Sequence, residues 1–64
     1  MKKVKVGDLI KIIKIEGEPD YSNRIGIVTS IDGIGQLHGT WGGWAIIPEK
    51  DTYEIIKENN NGND

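Results

Sequence analysis

Short runs of β-branched residues, separated by glycine, proline and aspartate, dominate the apolar and polar pattern of this chain. The run at 9–15 favours a strand because β-branched residues prevail in it and no helix-capping box precedes it. Ile10 and Ile12 are expected to point inward. The apolar phase changes at Ile13, which predicts a β-bulge near Ile12 and Ile13. Further strands are predicted at 24–31, 36–41, 44–47 and 52–56.

The tetrapeptide from Trp41 to Trp44 places two glycines between two tryptophans. Gly42 and Gly43 tolerate positive φ, so they predict a two-residue hairpin of type I′ or II′. Such a turn makes Trp41 and Trp44 directly opposed on one face, with both residues and both glycines in a structural role. It also pairs Gly39 with Ile46, and an indole is expected to cover the bare backbone of Gly39.

Three connections complete the predicted fold. Residues 16–23 are rich in turn formers, 32–35 form a tight hairpin loop, and Pro48 begins a helical turn in 48–51. The order of elements predicts an all-β fold, a small five-stranded SH3-like barrel with a one-turn helix before the last strand. The barrel is assigned to residues 1–57, and residues 58–64 are predicted to be a disordered polar tail.

The chain has 64 residues, no cysteine and a formal net charge of −2. It shows no pattern typical of a signal peptide or a membrane span, so we expect a cytoplasmic protein that does not bind membranes. The negative balance is unusual for a nucleic-acid-binding protein. Lysines nevertheless crowd the first quarter of the chain, where they either protect an edge strand or form a local basic patch.

Several short motifs resemble those of a small family. They are Val6-Gly7-Asp8, Gly26-Ile27-Val28, Gly35-Gln36-Leu37-His38 with Trp41, Ile46-Ile47-Pro48 and Tyr53-Glu54-Ile55-Ile56. Together they are similar to the domain of unknown function 4314 family, short SH3-like proteins of bacteria and their phages and plasmids. Gly7-Asp8 and Gly26-x-Val28 more loosely resemble KOW-type barrels. The resemblance implies a fold and a bacterial or mobile-element setting, and it carries no catalytic residues.

Candidate chemistry is sparse. His38 is the only histidine, and no serine is placed to act with it and a carboxylate as a nucleophile. One histidine and scattered carboxylates do not predict a metal site, and the glycine-rich stretches lack a phosphate-binding motif. We therefore expect a non-enzyme without cofactor, metal or small-molecule substrate.

The predicted function is protein binding, including self-association. Strand alternation, with Thr29 opposite His38, sends an apolar set to the outer face of the sheet. The interface candidates are Ile25, Ile27, His38, Thr40 and Ile47. The alternative is a KOW-like RNA- or ribosome-contacting domain, with Tyr21 and Trp44 as a stacking surface. Its candidate cations are Lys2, Lys3, Lys5, Lys11, Lys14 and Arg24.

Overall fold

The computed structural model describes residues 3–59 as an all-β fold of five antiparallel strands. The strands are β1 (Leu9–Lys14), β2 (Ile25–Ile31), β3 (Leu37–Gly39), β4 (Gly42–Ile46) and β5 (Thr52–Lys57). They form one sheet in the order β4-β3-β2-β1-β5. The predicted all-β class is confirmed. Within residues 3–59 the two end strands, β4 and β5, are not paired with each other, so the sheet is not closed.

The first strand follows the sequence pattern closely. Ile10 and Ile12 are buried, as predicted from their alternation. Ile12 lies opposite Tyr53 on β5, whereas Lys14 lies opposite Thr52. This one-residue shift confirms the predicted bulge at Ile13, because two residues of β1 advance against one residue of β5.

The turn between β3 and β4 is not where the glycines predicted it. Gly39 pairs with Gly42, so Thr40 and Trp41 form the turn and Gly42 already lies in β4. The predicted turn at Gly42 and Gly43 is therefore wrong, and the two tryptophans are not an opposed pair. Moving the turn by two residues allows Trp41 to enter the core with 3 % exposure. We attribute the shift to indole burial, which outweighs local turn propensity.

The indole of Trp41 covers Gly39, as predicted, although Gly39 faces Gly42 instead of Ile46. A Cβ atom at Gly39 would occupy the space of the indole ring, so any larger residue would displace it. The indole Nε1–H donates to the carbonyl oxygen of Trp44 at 2.7 Å. The ring is thus buried with its only polar group satisfied. The core around it consists of Ile10, Ile12, Ile15, Val28, Leu37 and Ile46.

The loop between β2 and β3 is one residue shorter than the predicted loop 32–35, because Asp32 pairs with Gln36 and only residues 33–35 lie between them. Asp32 N–H donates to the carbonyl of Gln36 at 3.0 Å, and the Asp32 carboxylate also accepts the Gln36 N–H at 2.9 Å. Ser30 consequently lies opposite His38, and the predicted pairing of Thr29 with His38 is wrong. Thr29 occupies a bulge. Beyond it, Val28 lies opposite Gly39, which is the register predicted from the sequence.

No helix lies between β4 and β5, so the predicted one-turn helix at 48–51 is wrong. The Ile47 carbonyl accepts N–H groups from Lys50 and Asp51 at 2.9 and 2.8 Å, which makes a single turn. The buried carboxylate of Asp51 accepts N–H groups from Ile47 at 2.8 Å and Glu16 at 3.0 Å. It therefore fixes this turn against the first loop. The short 3₁₀ turn lies in that loop instead, at Pro19–Tyr21.

Asp8 joins the two ends of the described chain. Its side chain is fully buried, and its carboxylate accepts N–H groups from Lys5 at 2.9 Å and Asn59 at 2.7 Å. Burial by itself raises the pKa of Asp8, but these hydrogen bonds and the Lys5 ammonium outweigh it and hold the pKa below 3.8. Asn59 falls in the predicted tail 58–64, of which residues 60–64 lie outside the described residues.

The two tryptophans are expected to differ sharply in their effect on stability. Trp41→Ala removes a buried aromatic side chain, which typically costs about 3–5 kcal/mol, comparable to the whole stability of a small domain. Trp44→Ala is the matched control because Trp44 is 45 % exposed. We expect thermal unfolding followed by circular dichroism to lose its cooperative transition only in Trp41→Ala. Similar melting curves for the two variants would contradict this assignment.

The Asn59–Asp8 hydrogen bond is expected to stabilise the domain. Asn59→Pro removes the backbone donor, so Asp8 Oδ1 keeps only the Lys5 ammonium at 3.3 Å, and we expect a cost of about 1–3 kcal/mol. Asn59→Ala keeps that N–H and serves as the control.

The effect should depend on pH. Because the folded pKa of Asp8 is lowered, its stabilising contribution is complete above the unfolded value of 3.8 and is lost as the pH falls through the folded pKa. The difference in melting temperature between the two variants should therefore shrink in acid. If the difference in melting temperature persisted unchanged at low pH, the ionised Asp8 carboxylate would not be the source of the stabilisation.

Candidate functional site

The outer face of β1 and β2 carries an exposed apolar surface. Ile25 and Ile27 are 56 % and 45 % exposed. Ile27 lies opposite Leu9, and Ile25 lies opposite Lys11. Ile25 and Ile27 alternate along β2 with the buried Gly26 and Val28, which explains why they point away from the core.

Thr40 contacts β2 without joining this surface, because its Oγ1 lies 2.8 Å from where a Cβ atom of the buried Gly26 would be, on the core side of β2. Its Oγ1 accepts the backbone N–H of Ile27 at 3.0 Å, and its own N–H donates to the Ile27 carbonyl at 3.1 Å. We call Leu9, Ile25 and Ile27 the isoleucine face. Ile25 and Ile27 were predicted from the sequence. Leu9 was missed, although its position one residue before inward-pointing Ile10 already indicated an outward side chain.

The remaining interface candidates, His38 and Ile47, also lie apart from this face. His38 Nε2 lies 3.0 Å from Asp32 Oδ2, so the ring is directed to the hairpin loop. That hydrogen bond is the main cause of the lowered pKa of Asp32. Ile47 is half-buried and follows Ile46, which pairs with Leu37 at the end of β3 remote from Thr40. Leu37 and Thr40 are three residues apart, or about 10 Å along a strand.

The predicted cations do not form one patch. Lys2 lies outside the described residues, and Lys3 is exposed before β1. Lys5 Nζ is 3.3 Å from Asp8 and 3.7 Å from Glu58, so carboxylates offset its charge. The remaining candidates are spread over β1 and the start of β2: Lys11 opposite Ile25, Lys14 opposite Thr52, and Arg24.

Arg24 instead belongs to a second surface, which we call the aromatic–arginine cluster: Tyr21, Arg24, Gly42 and Trp44. Arg24 Cζ lies 4.1 Å from the centroid of the Tyr21 ring, within the range of a cation–π contact. The ring of Trp44 is tilted by 45° to that of Tyr21, with centroids 6.4 Å apart. The sequence suggested Tyr21 and Trp44 as a stacking surface and Arg24 as one of several candidate cations, and the fold brings these three side chains together.

Gly42 forms the floor of this cluster. It has a φ of 137°, and a Cβ atom there would lie 3.0 Å from Tyr21 Oη and 3.2 Å from an Arg24 guanidinium nitrogen. The same guanidinium nitrogen, Nη1, donates to the carbonyl oxygen of Trp41 at 2.8 Å. A glycine is therefore required for both its backbone conformation and the space that Tyr21 and Arg24 occupy.

The described residues offer little arrangement for catalysis or metal binding. No group of three or more His, Cys, Asp or Glu side chains in residues 3–59 is placed to hold a metal ion. His38 and Asp32 form a pair, and Ser30 lies across from His38 on β2. The Ser30 hydroxyl makes no hydrogen bond to the His38 imidazole. Within residues 3–59, therefore, no nucleophile is hydrogen-bonded to the His38–Asp32 pair.

Comparisons with protein-family models, curated proteins and solved structures find no match to this chain. The resemblance to the domain of unknown function 4314 family therefore stays a hypothesis. In the part of the chain that the structure describes, no helix is long and apolar enough to cross a membrane.

Proposed function

We propose that this chain is a non-catalytic protein-interaction module, a small SH3-like barrel that self-associates through the isoleucine face. The observation that carries the proposal is the pair of half-exposed isoleucines, Ile25 and Ile27, adjoining Leu9 on a regular sheet surface. A contiguous apolar patch on so small a domain favours an interface over a solvated surface. A face built from two adjacent strands suits a symmetric contact, in which each copy presents the same residues.

The barrel assignment rests on strand order. β1 lies between β2 and β5, and β2, β3 and β4 follow as consecutive hairpins. A long first loop, two hairpins and a last strand returning beside the first are the connections of an SH3-like barrel. The family resemblance supplies the rest of the hypothesis, a cytoplasmic protein of a bacterium or a mobile element.

Self-association is expected to depend on Ile27. Ile27→Lys places a charge in the centre of the isoleucine face, where burial against a second copy would desolvate it. Ile34→Lys is the matched control, because Ile34 is 77 % exposed at the tip of the hairpin loop. In sedimentation equilibrium over a concentration series, we expect the wild type and Ile34→Lys to approach twice the monomer mass and Ile27→Lys to stay monomeric.

Circular dichroism would first establish that both lysine variants fold. A wild type that stays monomeric at millimolar concentration would refute self-association. Equal dimerisation of Ile27→Lys would place the interface on another surface.

A KOW-like RNA- or ribosome-contacting domain is the second proposal. One observation favours it: an arginine and two aromatic rings lie side by side, as in surfaces that stack bases and bind phosphate. The net charge of −2 and the pairing of Lys5 with two carboxylates weigh against it.

Binding to RNA would be strongly salt-dependent. Each phosphate neutralised contributes about −0.7 to the slope of log affinity against log salt for a single strand. Replacing Lys2, Lys3 and Lys5 together by glutamine should flatten that slope in titrations with a labelled oligouridylate, whereas Lys50→Gln serves as a control on the turn before β5. No binding at low salt would exclude this function.

A further inference from the structure

The exposed edge of β4 differs from the other edge of the sheet. Among residues 3–59, β4 is the end strand and is paired only with β3, so its second row of backbone N–H and C=O groups has no partner strand in this part of the chain. Natural edge strands are usually protected by charges, proline or bulges. β5, at the opposite edge, carries Glu54 and Lys57 and has a register irregularity between Ile55 and Lys57. β4 has the sequence Gly-Gly-Trp-Ala-Ile, with no charge and no proline.

The aromatic–arginine cluster lies on one face of this unprotected strand. Gly42 and Trp44 are two residues apart, so their side-chain directions share a face and their spacing is about 6.6 Å. Above Gly42 is the Arg24 guanidinium, held by the Tyr21 ring and the Trp41 carbonyl. Arg24 has no carboxylate partner among residues 3–59. The indole of Trp44 is half-exposed, and its N–H makes no hydrogen bond within residues 3–59.

We propose that the edge of β4 binds an extended peptide segment of a partner protein as an added strand. The segment would carry an apolar side chain for Trp44 and, two residues later, a carboxylate for Arg24. An added strand gains affinity from main-chain hydrogen bonds, and alternate side chains give specificity. Because alternate residues of a strand repeat at the spacing of Gly42 and Trp44, one peptide can satisfy both contacts at once.

A second copy of this chain fits the edge less well. Antiparallel pairing of two β4 strands would bring no carboxylate to Arg24, because Gly42–Ile46 contains none. Single-stranded nucleic acid would use the ring surface but not the backbone groups of the edge. The charge and hydrogen-bonding pattern therefore favour a peptide.

The inference deepens the proposed protein-interaction function and concerns a different surface from the isoleucine face. Its test uses the peptide Thr-Val-Thr-Leu-Thr-Glu-Thr-amide with fluorescein on its N-terminal amine, which places leucine and glutamate two residues apart for antiparallel addition. One control peptide replaces glutamate with glutamine. A second has the same composition with leucine and glutamate adjacent. Fluorescence anisotropy with the full chain measures each dissociation constant.

We expect each control peptide to bind at least tenfold more weakly than the test peptide. Arg24→Gln and Trp44→Ala should each cause a similar loss for the test peptide, while Ile34→Lys should have no effect. In amide hydrogen exchange, the bound peptide should slow exchange within β4 and leave β5 unchanged. If Arg24→Gln fails to fold, the glutamine peptide tests the same contact with the wild-type protein.

Equal binding of the three peptides, or no protection of β4, would overturn the proposal. Tighter binding of a labelled oligouridylate that competes for the same site would overturn it in favour of nucleic acid. The monomeric Ile27→Lys variant should bind the test peptide as the wild type does. If that variant binds the peptide, or if the wild type binds it without dimerising, the inference about the β4 edge stands even when self-association fails.

Discussion

The burial of Trp41 over Gly39 is the constraint on which the rest of the structure depends. The indole fills the space left by the missing side chain and donates its N–H to the carbonyl of Trp44. To reach that position, Trp41 must lie in the turn and not in a strand. The turn therefore begins at Thr40, and the strand after it begins at Gly42. One side chain thus sets the register of a hairpin.

The same register creates the aromatic–arginine cluster. With Gly42 in β4, its bare α-carbon lies beneath Tyr21 and Arg24, and Trp44 falls two residues further on the same face. Arg24 reaches back to the carbonyl of Trp41. The core tryptophan and the exposed surface are consequently coupled through the backbone between them. Buried carboxylates act similarly elsewhere, where Asp8 and Asp51 hold loops and chain ends by accepting backbone N–H groups.

The two proposed surfaces follow from different properties of a small sheet. A domain of this size has too few residues to cover both faces of five strands, so part of the outer face of β1 and β2 stays apolar and exposed. Within residues 3–59 the sheet is not closed, so it also leaves two edges. One edge carries charges and an irregular register, whereas the other is uncharged. The isoleucine face and the β4 edge are therefore separate sites that separate substitutions can test.

The sequence by itself determined the all-β class, the approximate positions of five strands, the inward-pointing Ile10 and Ile12, and the bulge at Ile13. These depend on alternation and β-branching over a few residues, which the chain displays directly. Only the tertiary structure decided which tryptophan is buried, where the last hairpin turns, and that Asp32 draws His38 away from the isoleucine face. Each of these choices depends on contacts between residues in different strands or loops. Local propensity favoured a turn at Gly42 and Gly43, but the free energy of burying an indole favours another register.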